Sequence, residues 1–148
     1  MNVRGRVGLQ QRVLPAYRAA FFDALAARCA DGLSVAAGDP RASEAILPAP
    51  GLTVARWEHL RNVHLLGGVA YACLQLGWRA WLEAWDPAIL ILEANPRDLT
   101  NWRMAAWMRS KRRPVLGWGL GARGRRGVAG WIRRAFTRRL DGAIAYSR

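Results

Sequence analysis

The sequence predicts one Rossmann-like α/β domain, in which helices cover both faces of a mostly parallel sheet. Strand-like and helix-like segments alternate along nearly the whole chain, as they do in proteins built from strand–helix–strand units. Residues 88–93 (AILILE) form a continuous apolar run, which is typical of a central strand buried on both faces. The 148 residues, 52% hydrophobic and 22% charged, fit a single folded domain and exclude repeat arrays and disordered chains.

The first predicted elements are a strand, a helix and a second strand. Arg6–Val13 is extended in character and stops before Pro15, because proline disfavours helix for the residue that precedes it. Tyr17–Cys29 carries Phe and Leu side chains at helical spacing among alanines, and an Asp-Gly pair ends it. The short apolar run Leu33–Gly38 (LSVAAG) predicts a buried strand.

The next segments predict a loop, a third strand and a long helix. Residues 39–51 contain three prolines and form a loop, and Leu52–Trp57 (LTVARW) alternates apolar and polar residues as a strand does. Leu65–Trp78 is apolar except for Gln75, and its 14 residues are fewer than the ~20 needed to cross a membrane. Apolar residues recur at steps of three and four as far as Trp85, which predicts a buried helix; an interfacial membrane helix is the alternative.

The last third predicts three strands and two helices. Ala88–Glu93 is the central strand, Asp98 begins a helix that runs to Arg112 before a proline, and Val115–Trp118 is the fifth strand. Val128–Leu140 is amphipathic and predicts a helix, with Ala143–Tyr146 as the last strand.

Positive charge is concentrated in the same third. The formal net charge is +13, and 22 of the 23 basic residues are arginines, Lys111 being the exception. Residues 1–102 carry a net charge of +1 and residues 103–148 carry +12. This asymmetry predicts an anionic partner near the C-terminal third, and phosphorylated substrates, anionic lipids and nucleic acid all fit it.

The cysteines and the N-terminal residues indicate the cellular compartment of the protein. Cys29 and Cys73 lie 44 positions apart in apolar, helix-like patterns, which fit neither a metal knuckle nor a disulfide framework, so we interpret both as small buried hydrophobic residues. The first residues (MNVRGRVGLQQRVL) lack the continuous apolar stretch of a signal peptide. We therefore expect a cytoplasmic protein.

The loops that follow the predicted strands are the candidate ligand-binding segments, because ligands of such sheets bind beyond the carboxyl ends of the strands. The first strand is followed by VLPAYR, which has no glycine for close approach to a pyrophosphate, so dinucleotide binding is disfavoured. The sequence also contains no Walker loop, catalytic serine elbow or metal-ligand spacing.

Four segments in order carry a resemblance to a known family. They are LQQRVLPAYRAAFFDALAAR, AILILEANPRDLTNW, RPVLGWGLGARGRRG and RRLDGAIAYSR. Together they resemble the N-terminal, acceptor-side domain of family 4 glycosyltransferases with the two-Rossmann-domain GT-B fold. The segment PAYRAAFFDAL is similar to that family's turn and first helix, and LDGAIAYSR to its last strand before the interdomain crossing. The resemblance covers essentially all of residues 1–148.

The resemblance implies transfer of a sugar from a nucleotide-sugar substrate to an acceptor held by this domain, including lipid-linked acceptors. It implies no metal and no other cofactor. The donor-binding C-terminal domain is then a missing partner, and we expect these residues alone to be inactive. A contact with anionic membrane at the inner face of the plasma membrane would follow from a lipid-linked acceptor, whereas nucleic acid is not an expected partner.

The segment EANPR holds the sharpest candidates, Glu93, Asn95 and Arg97. A carboxylate at the end of a buried strand can bind a sugar hydroxyl or serve as a catalytic base, and an amide can bind hydroxyls. The alternative is that Glu93 caps the next helix or pairs with Arg97. Tyr17 and Arg18, after the first strand, could contact the acceptor, or could simply begin a helix.

The loop GWGLGARGRRG supplies the remaining candidates. Gly117, Gly119 and Gly121 permit backbone approach to a ligand, and three arginines could bind phosphate, although a plain flexible loop explains them equally well. These arginines are Arg123, Arg125 and Arg126. Many members of the family have a glycine-rich first loop and a histidine after the fifth strand; VLPAYR and Trp118 stand in those places here. His59 and His64 are poor replacements because both are expected beyond the third strand.

The predicted helix Val128–Leu140 has one apolar face, which we expect to lie on the sheet, and one arginine face. The arginine face comprises Arg133, Arg134 and Arg138. Anionic membrane or a pyrophosphate-lipid acceptor would explain that face, and a solvated or interdomain face is the alternative. A non-catalytic interaction domain, a degenerate transferase and a basic nucleic-acid-binding module remain open as other functions.

Overall fold

The computed structural model describes residues 4–119 and 127–145 and contains a six-stranded, all-parallel sheet with helices on both faces. This confirms the predicted Rossmann-like α/β fold. The strands of this sheet are β1 (Val7–Val13), β2 (Leu33–Gly38), β3 (Arg56–His59), β6 (Ile89–Glu93), β7 (Val115–Gly119) and β8 (Gly142–Ala145). A separate antiparallel hairpin is formed by β4 (Arg61–Leu65) and β5 (Ala72–Leu76).

The strand order is β3-β2-β1-β6-β7-β8. The chain moves outward from β1 to β3, returns to pair β6 with the other side of β1, and then moves outward in the opposite direction. This is the doubly wound arrangement, and ligands of such sheets bind where the direction reverses, beyond the carboxyl ends of the strands. The predicted central position of AILILE is confirmed, since β6 lies between β1 and β7.

Four α-helices and a short 3-10 helix (Gly68–Ala70) complete the part of the fold that the structure describes. The α-helices are α1 (Ala16–Ala26), α2 (Trp78–Trp85), α3 (Leu99–Ser110) and α4 (Val128–Thr137). Phe22 of α1 belongs to the core on one face, with Leu9 and Val35. Helices α2 and α3 pack on the other face through Trp81 and Met104. Helix α4 lies on the α3 side, where the ring centres of Phe136 and Trp102 are 5.1 Å apart.

The predicted helix from Leu65 to Trp85 is wrong for its first part, which forms the second strand of the hairpin. Cys73 and Gln75 are buried while Leu76 is exposed, so the spatial pattern has the two-residue period of a strand. The Gln75 amide supplies the physical reason, because it hydrogen-bonds β1 and Asn62 and so holds this segment extended. Helix α2 begins only after Gly77, whose φ of +92° is accessible to glycine.

The third strand is also displaced, from the predicted Leu52–Trp57 to Arg56–His59. The backbone N–H groups of Thr53, Val54 and Ala55 donate to the carboxylate of Asp23 on α1 instead of to a neighbouring strand. Strand pairing can therefore start only at Arg56. His59 consequently ends the third strand rather than lying beyond it.

Other boundaries differ from the prediction by a few residues at element ends. Leu33–Gly38 is confirmed at both ends. Cys73 is fully buried, but it lies in β5, and Cys29 is partly exposed after the end of α1, so neither cysteine is helical. Burial raises the pKa of both thiols, that of Cys73 to about 11.

Candidate functional site

A cavity of about 320 Å³ opens at the carboxyl edge of the sheet, beside the reversal between β1 and β6. The ends of β6, β7 and β8 form its floor and α4 forms one wall. Its polar and aromatic lining consists mainly of Gln11, Arg18, Glu93, Asn95, Trp118 and Arg133. Gln11, Glu93, Asn95 and Trp118 lie at or just beyond the carboxyl ends of strands, where the sequence predicts ligand-binding residues. We call this cavity the crevice.

Glu93 is held rigidly at the end of β6. Its Oε2 accepts a hydrogen bond from the Arg12 backbone N–H at 2.9 Å, its own N–H donates to Gln10 Oε1 at 3.1 Å, and its carbonyl oxygen accepts from Asn101 Nδ2 at 2.9 Å. It neither caps α3 nor pairs with Arg97. Within the described residues Oε1 accepts no hydrogen bond, so this oxygen is available to a ligand hydroxyl.

A second carboxyl group, Asp98, lies close to Glu93 and is fully buried. Asp98 precedes α3, yet its side chain makes no capping hydrogen bond, and neither carboxyl oxygen has a partner within the described residues. Burial, followed by the charge of Glu93, raises the pKa of Asp98 to about 8, against the opposing charge of Arg12. Burial therefore favours the neutral, protonated form of the Asp98 carboxyl group.

Arg18 and Trp118 form one wall of the crevice. The Arg18 guanidinium lies 5.4 Å from the Trp118 ring centre, and its Nη1 donates to Gln11 Oε1. Phe21 and Phe22 pack against the Trp118 indole, with their ring centres 5.5 and 5.7 Å from the Trp118 ring centre. The structure therefore brings Arg18 and Trp118 together at the cavity.

Two other candidates from the sequence lie outside the lining of the crevice. Tyr17 is 77% exposed, and its ring centre lies 5.5 Å from the Arg18 guanidinium. Arg97 is exposed, and its backbone N–H donates to Asn95 Oδ1 at 3.1 Å. Asn95 itself lines the crevice.

Gly117 and Gly119 of β7 both line the crevice, and packing also restricts the side chains that these positions could carry. A Cβ atom at Gly117 would lie 2.5 Å from Leu140 Cδ1, and one at Gly119 would lie 3.2 Å from the Ala94 Cβ. The side chain of Leu140 occupies the space that the missing Cβ leaves. Gly121, Arg123, Arg125 and Arg126 lie outside the described residues.

Helix α4 differs from the prediction in the orientation of its apolar residues. Phe136 is buried, but Val128 and Trp131 are 76% and 65% exposed, so the expectation that the whole apolar face lies on the sheet is wrong. The reason is that the edge strand β8 is short, and its Ile144 is itself exposed. Arg133 lines the crevice, while Arg134 and Arg138 are exposed.

Sequence reasoning missed a polar network that borders the crevice at the end of β1. Gln10 Nε2 donates to Gln75 Oε1 at 2.6 Å, and Gln75 Nε2 donates to Asn62 Oδ1 at 3.0 Å and to the Gln11 carbonyl oxygen at 3.1 Å. Arg12 Nη1 forms an ion pair with Glu44 at 2.9 Å. The available signal was the run Gln-Gln-Arg inside a predicted strand, because polar side chains need partners where such a strand is buried.

Both histidines lie away from the crevice. His59 Nε2 pairs with Asp39 at 2.9 Å, and His64 Nδ1 lies 3.0 Å from the Tyr71 hydroxyl. Burial and the charges of Arg12 and Arg41 lower the pKa of His64. Neither ring is placed to act on a ligand in the crevice.

Residues 4–119 and 127–145 contain neither a metal-binding cluster nor a membrane-spanning helix. No group of three or more His, Cys, Asp or Glu side chains there is arranged to hold a metal ion. None of the described helices has the length and apolar character needed to span a bilayer. Comparison with models of protein families, with curated proteins and with solved structures yields no match for this chain.

Proposed function

We propose that this domain binds the acceptor of a family 4 glycosyltransferase, with the acceptor seated in the crevice. The observation that carries the proposal is the combination of side chains around one cavity at the reversal point of a doubly wound sheet. A fixed carboxylate, an amide, an indole ring and two guanidinium groups line it. These groups match a sugar attached to a phosphate.

Each lining group has a chemical role in this proposal. The Trp118 ring offers an apolar face to the pyranose, and Asn95 and Glu93 Oε1 bind its hydroxyl groups. Arg18 and Arg133 supply positive charge for a phosphate or pyrophosphate linker. Glu93 would take the proton of the attacking hydroxyl, whose oxygen forms the new bond to the anomeric carbon as the nucleoside diphosphate leaves the donor.

The proposal requires a nucleotide-sugar-binding domain to supply the other wall of the reaction site. That domain would carry the groups that bind the donor and the leaving diphosphate. A protonated Asp98, which its burial favours, would add no negative charge beside the proposed phosphate site.

The exposed part of α4 extends the proposal to a membrane. Val128 and Trp131 stand on the same helix as Arg134 and Arg138, all of them exposed. Apolar and basic side chains together on one exposed helix suit the interface of an anionic bilayer. A lipid-linked acceptor could then reach the crevice from that surface.

Binding of a defined acceptor tests the proposal. We would titrate the domain by calorimetry with N-acetylglucosamine pyrophosphate carrying a short prenyl chain, using Arg18→Ala, Glu93→Gln and the control Glu83→Gln. Glu83 is an exposed carboxylate on α2 that pairs with Arg79. We expect about tenfold weaker binding for Arg18→Ala, because charge-assisted hydrogen bonds contribute roughly 1.5–3 kcal/mol, and unchanged binding for Glu83→Gln.

Transfer is then measured with the polypeptide encoded by the complete reading frame, using radiolabelled nucleotide sugars. Glu93→Gln should lower kcat while it leaves acceptor binding within a few-fold. Acceptor binding that is insensitive to Arg18 would contradict the proposal.

A non-catalytic binding domain is the second candidate function. It is favoured by the composition of the crevice, whose described lining has Trp118 and no histidine. For that function, acceptor binding would depend on Arg18 and Trp118, and the complete polypeptide would show no transfer with any nucleotide sugar.

A further inference from the structure

A second basic hollow lies at the opposite, amino edge of the sheet. It occupies about 490 Å³ between the end of α3 and the starts of β7 and β8. Its described lining is Arg109, Arg112, Arg113, Pro114 and Asp141. Three guanidinium groups thus face one carboxylate, and none of these residues takes part in the crevice.

Arg112 adopts a backbone conformation that disfavours every residue with a side chain except Asn and Asp. Its φ is +55°. Its N–H donates to the Arg109 carbonyl oxygen at 2.9 Å, and the Arg113 N–H donates to the Met108 carbonyl oxygen at 3.0 Å. These two bonds define a Schellman motif at the end of α3, and Arg112 occupies the position where glycine is favoured. Glycine would adopt this conformation at lower cost than arginine, so Arg112 is unfavourable for the backbone at this position.

The charges in the hollow are unequally paired. Arg113 is fully engaged, since its Nη1 and Nη2 donate to Asp86 at 2.7 and 3.1 Å and Nη1 also donates to the Pro87 carbonyl oxygen. Asp141 Oδ2 accepts from the Val115 N–H at 2.8 Å. Within the described residues, the side chains of Arg109 and Arg112 have no hydrogen-bond or ion-pair partner.

We propose that Arg109 and Arg112 bind a phosphate group at the amino edge of the sheet, in a site independent of the crevice. The fork of N–H donors on each arginine matches the oxygens of phosphate, and two unpaired guanidinium groups match the charge of a dianion. Arg113, locked on Asp86, fixes the position of the loop that carries them. The phosphate could belong to a soluble ester or to a lipid headgroup, and both present the same oxygens.

The test uses the conformation of Arg112. Replacement by glycine removes the guanidinium and relieves the unfavourable φ, so Arg112→Gly should raise the urea midpoint of unfolding while it removes binding. We would titrate ¹⁵N-labelled protein with inorganic pyrophosphate and follow the backbone amides of residues 109–113, 115 and 141. We expect saturable shifts in the wild type and at least tenfold weaker binding in Arg112→Gly and Arg109→Gln.

Two controls separate this site from others. Arg28→Gly removes an exposed arginine just after α1 and should leave the amide shifts unchanged. Arg18→Ala removes a charge from the crevice and should also leave them unchanged, so the two proposals fail independently.

Co-sedimentation with vesicles containing phosphatidic acid distinguishes the sources. Weaker binding of both pyrophosphate and vesicles by Arg112→Gly would assign the phosphate to a lipid headgroup, and weaker binding of pyrophosphate with unchanged vesicle binding would assign it to a soluble ester. Unchanged affinity of Arg112→Gly for both pyrophosphate and vesicles would overturn the proposal.

Discussion

The carboxyl edge of the sheet has two sides, and both carry polar and charged side chains. On one side these groups have hydrogen-bond partners within the fold, and on the other they face a cavity. On the side of the hairpin, Gln75 and Asn62 hydrogen-bond the end of β1, and Arg12 pairs with Glu44. On the side of β6 to β8, polar groups such as Glu93 Oε1 and Arg133 face the crevice. The hairpin therefore provides partners for the polar groups on its side, which we call the saturated side. No described element does the same beyond β6, and we call that side the open side.

This difference shows why residue type alone does not locate a site. A run such as Gln-Gln-Arg at the end of a strand has the chemistry of a binding site, but its donors and acceptors are already used within the fold. Buried polar groups with partners stabilise the structure, whereas unpaired groups around a cavity are available to a ligand. On the saturated side we thus expect mutations to change stability, and on the open side to change binding.

The largest effect is expected on the saturated side, from Gln75→Leu. The substitution removes the partner of Gln10 Nε2 and the donor to the Gln11 carbonyl oxygen, in a region with about 1% exposure. Buried groups left without partners cost roughly 1–3 kcal/mol each, so we expect a loss of about 3 kcal/mol in the free energy of unfolding. Urea denaturation followed by tryptophan fluorescence measures it.

Leu76→Ala, on the same strand but 47% exposed, is the control and should change stability by less than about 0.5 kcal/mol. An equal loss in the two variants would mean that the hairpin is held by apolar packing rather than by the glutamine.

The second effect concerns Asp98, which lies between the two sides. Its folded-state pKa of about 8 is above that of an unfolded aspartate, so between these values the unfolded state holds fewer protons and stability falls as pH rises. Its stabilising contribution is complete below about pH 4 and is lost as the pH approaches 8. Asp98→Asn should remove this slope. Relative to wild type it should gain about 2 kcal/mol between about pH 5.5 and about pH 7.

Urea titrations at a series of pH values measure this difference, with Glu83→Gln as the exposed control. Glu44 titrates outside the window, because hydrogen bonds from Arg12 and Arg41 outweigh its burial and lower its pKa to about 2. Parallel curves for wild type and Asp98→Asn would show that Asp98 is ionised in the folded protein.

Elements whose pattern depends only on burial could be predicted from the sequence. Leu33–Gly38 and the strand at residues 89–93 are apolar on both faces because they lie inside the sheet, and no distant residue is needed to recognise them. The helix prediction for residues 65–76 is wrong because their apolar residues occur on both faces of the hairpin. The side chain that decides their conformation, Gln75, finds its partner 65 positions away at Gln10.

The same distinction applies to the site. The sequence places Glu93 and Asn95 at the end of one strand and Arg18 shortly after another, and the carboxyl ends of parallel strands meet at one edge. Asp98 resembles an ordinary helix cap in the sequence, and only the packing of Cys73 and Tyr71 beside it reveals its burial. Arg112 is likewise unremarkable in sequence, since its φ is set by the Schellman motif.

The smallest effect is expected on the open side, where α4 exposes Arg134 and Arg138 beside Trp131. If this surface meets an anionic bilayer, Arg134→Gln should weaken co-sedimentation with vesicles of anionic phospholipid about fivefold, since one arginine near such a surface contributes about 1 kcal/mol. Adding salt should reduce binding of the wild type more than that of the variant, because screening removes the same attraction. Arg28→Gln removes an equal charge beyond α1, on the opposite face of the sheet, and should leave vesicle binding unchanged. Equal losses in the two variants would show that vesicle binding depends on the net charge of the domain. The exposed surface of α4 would then not be a specific membrane-binding site.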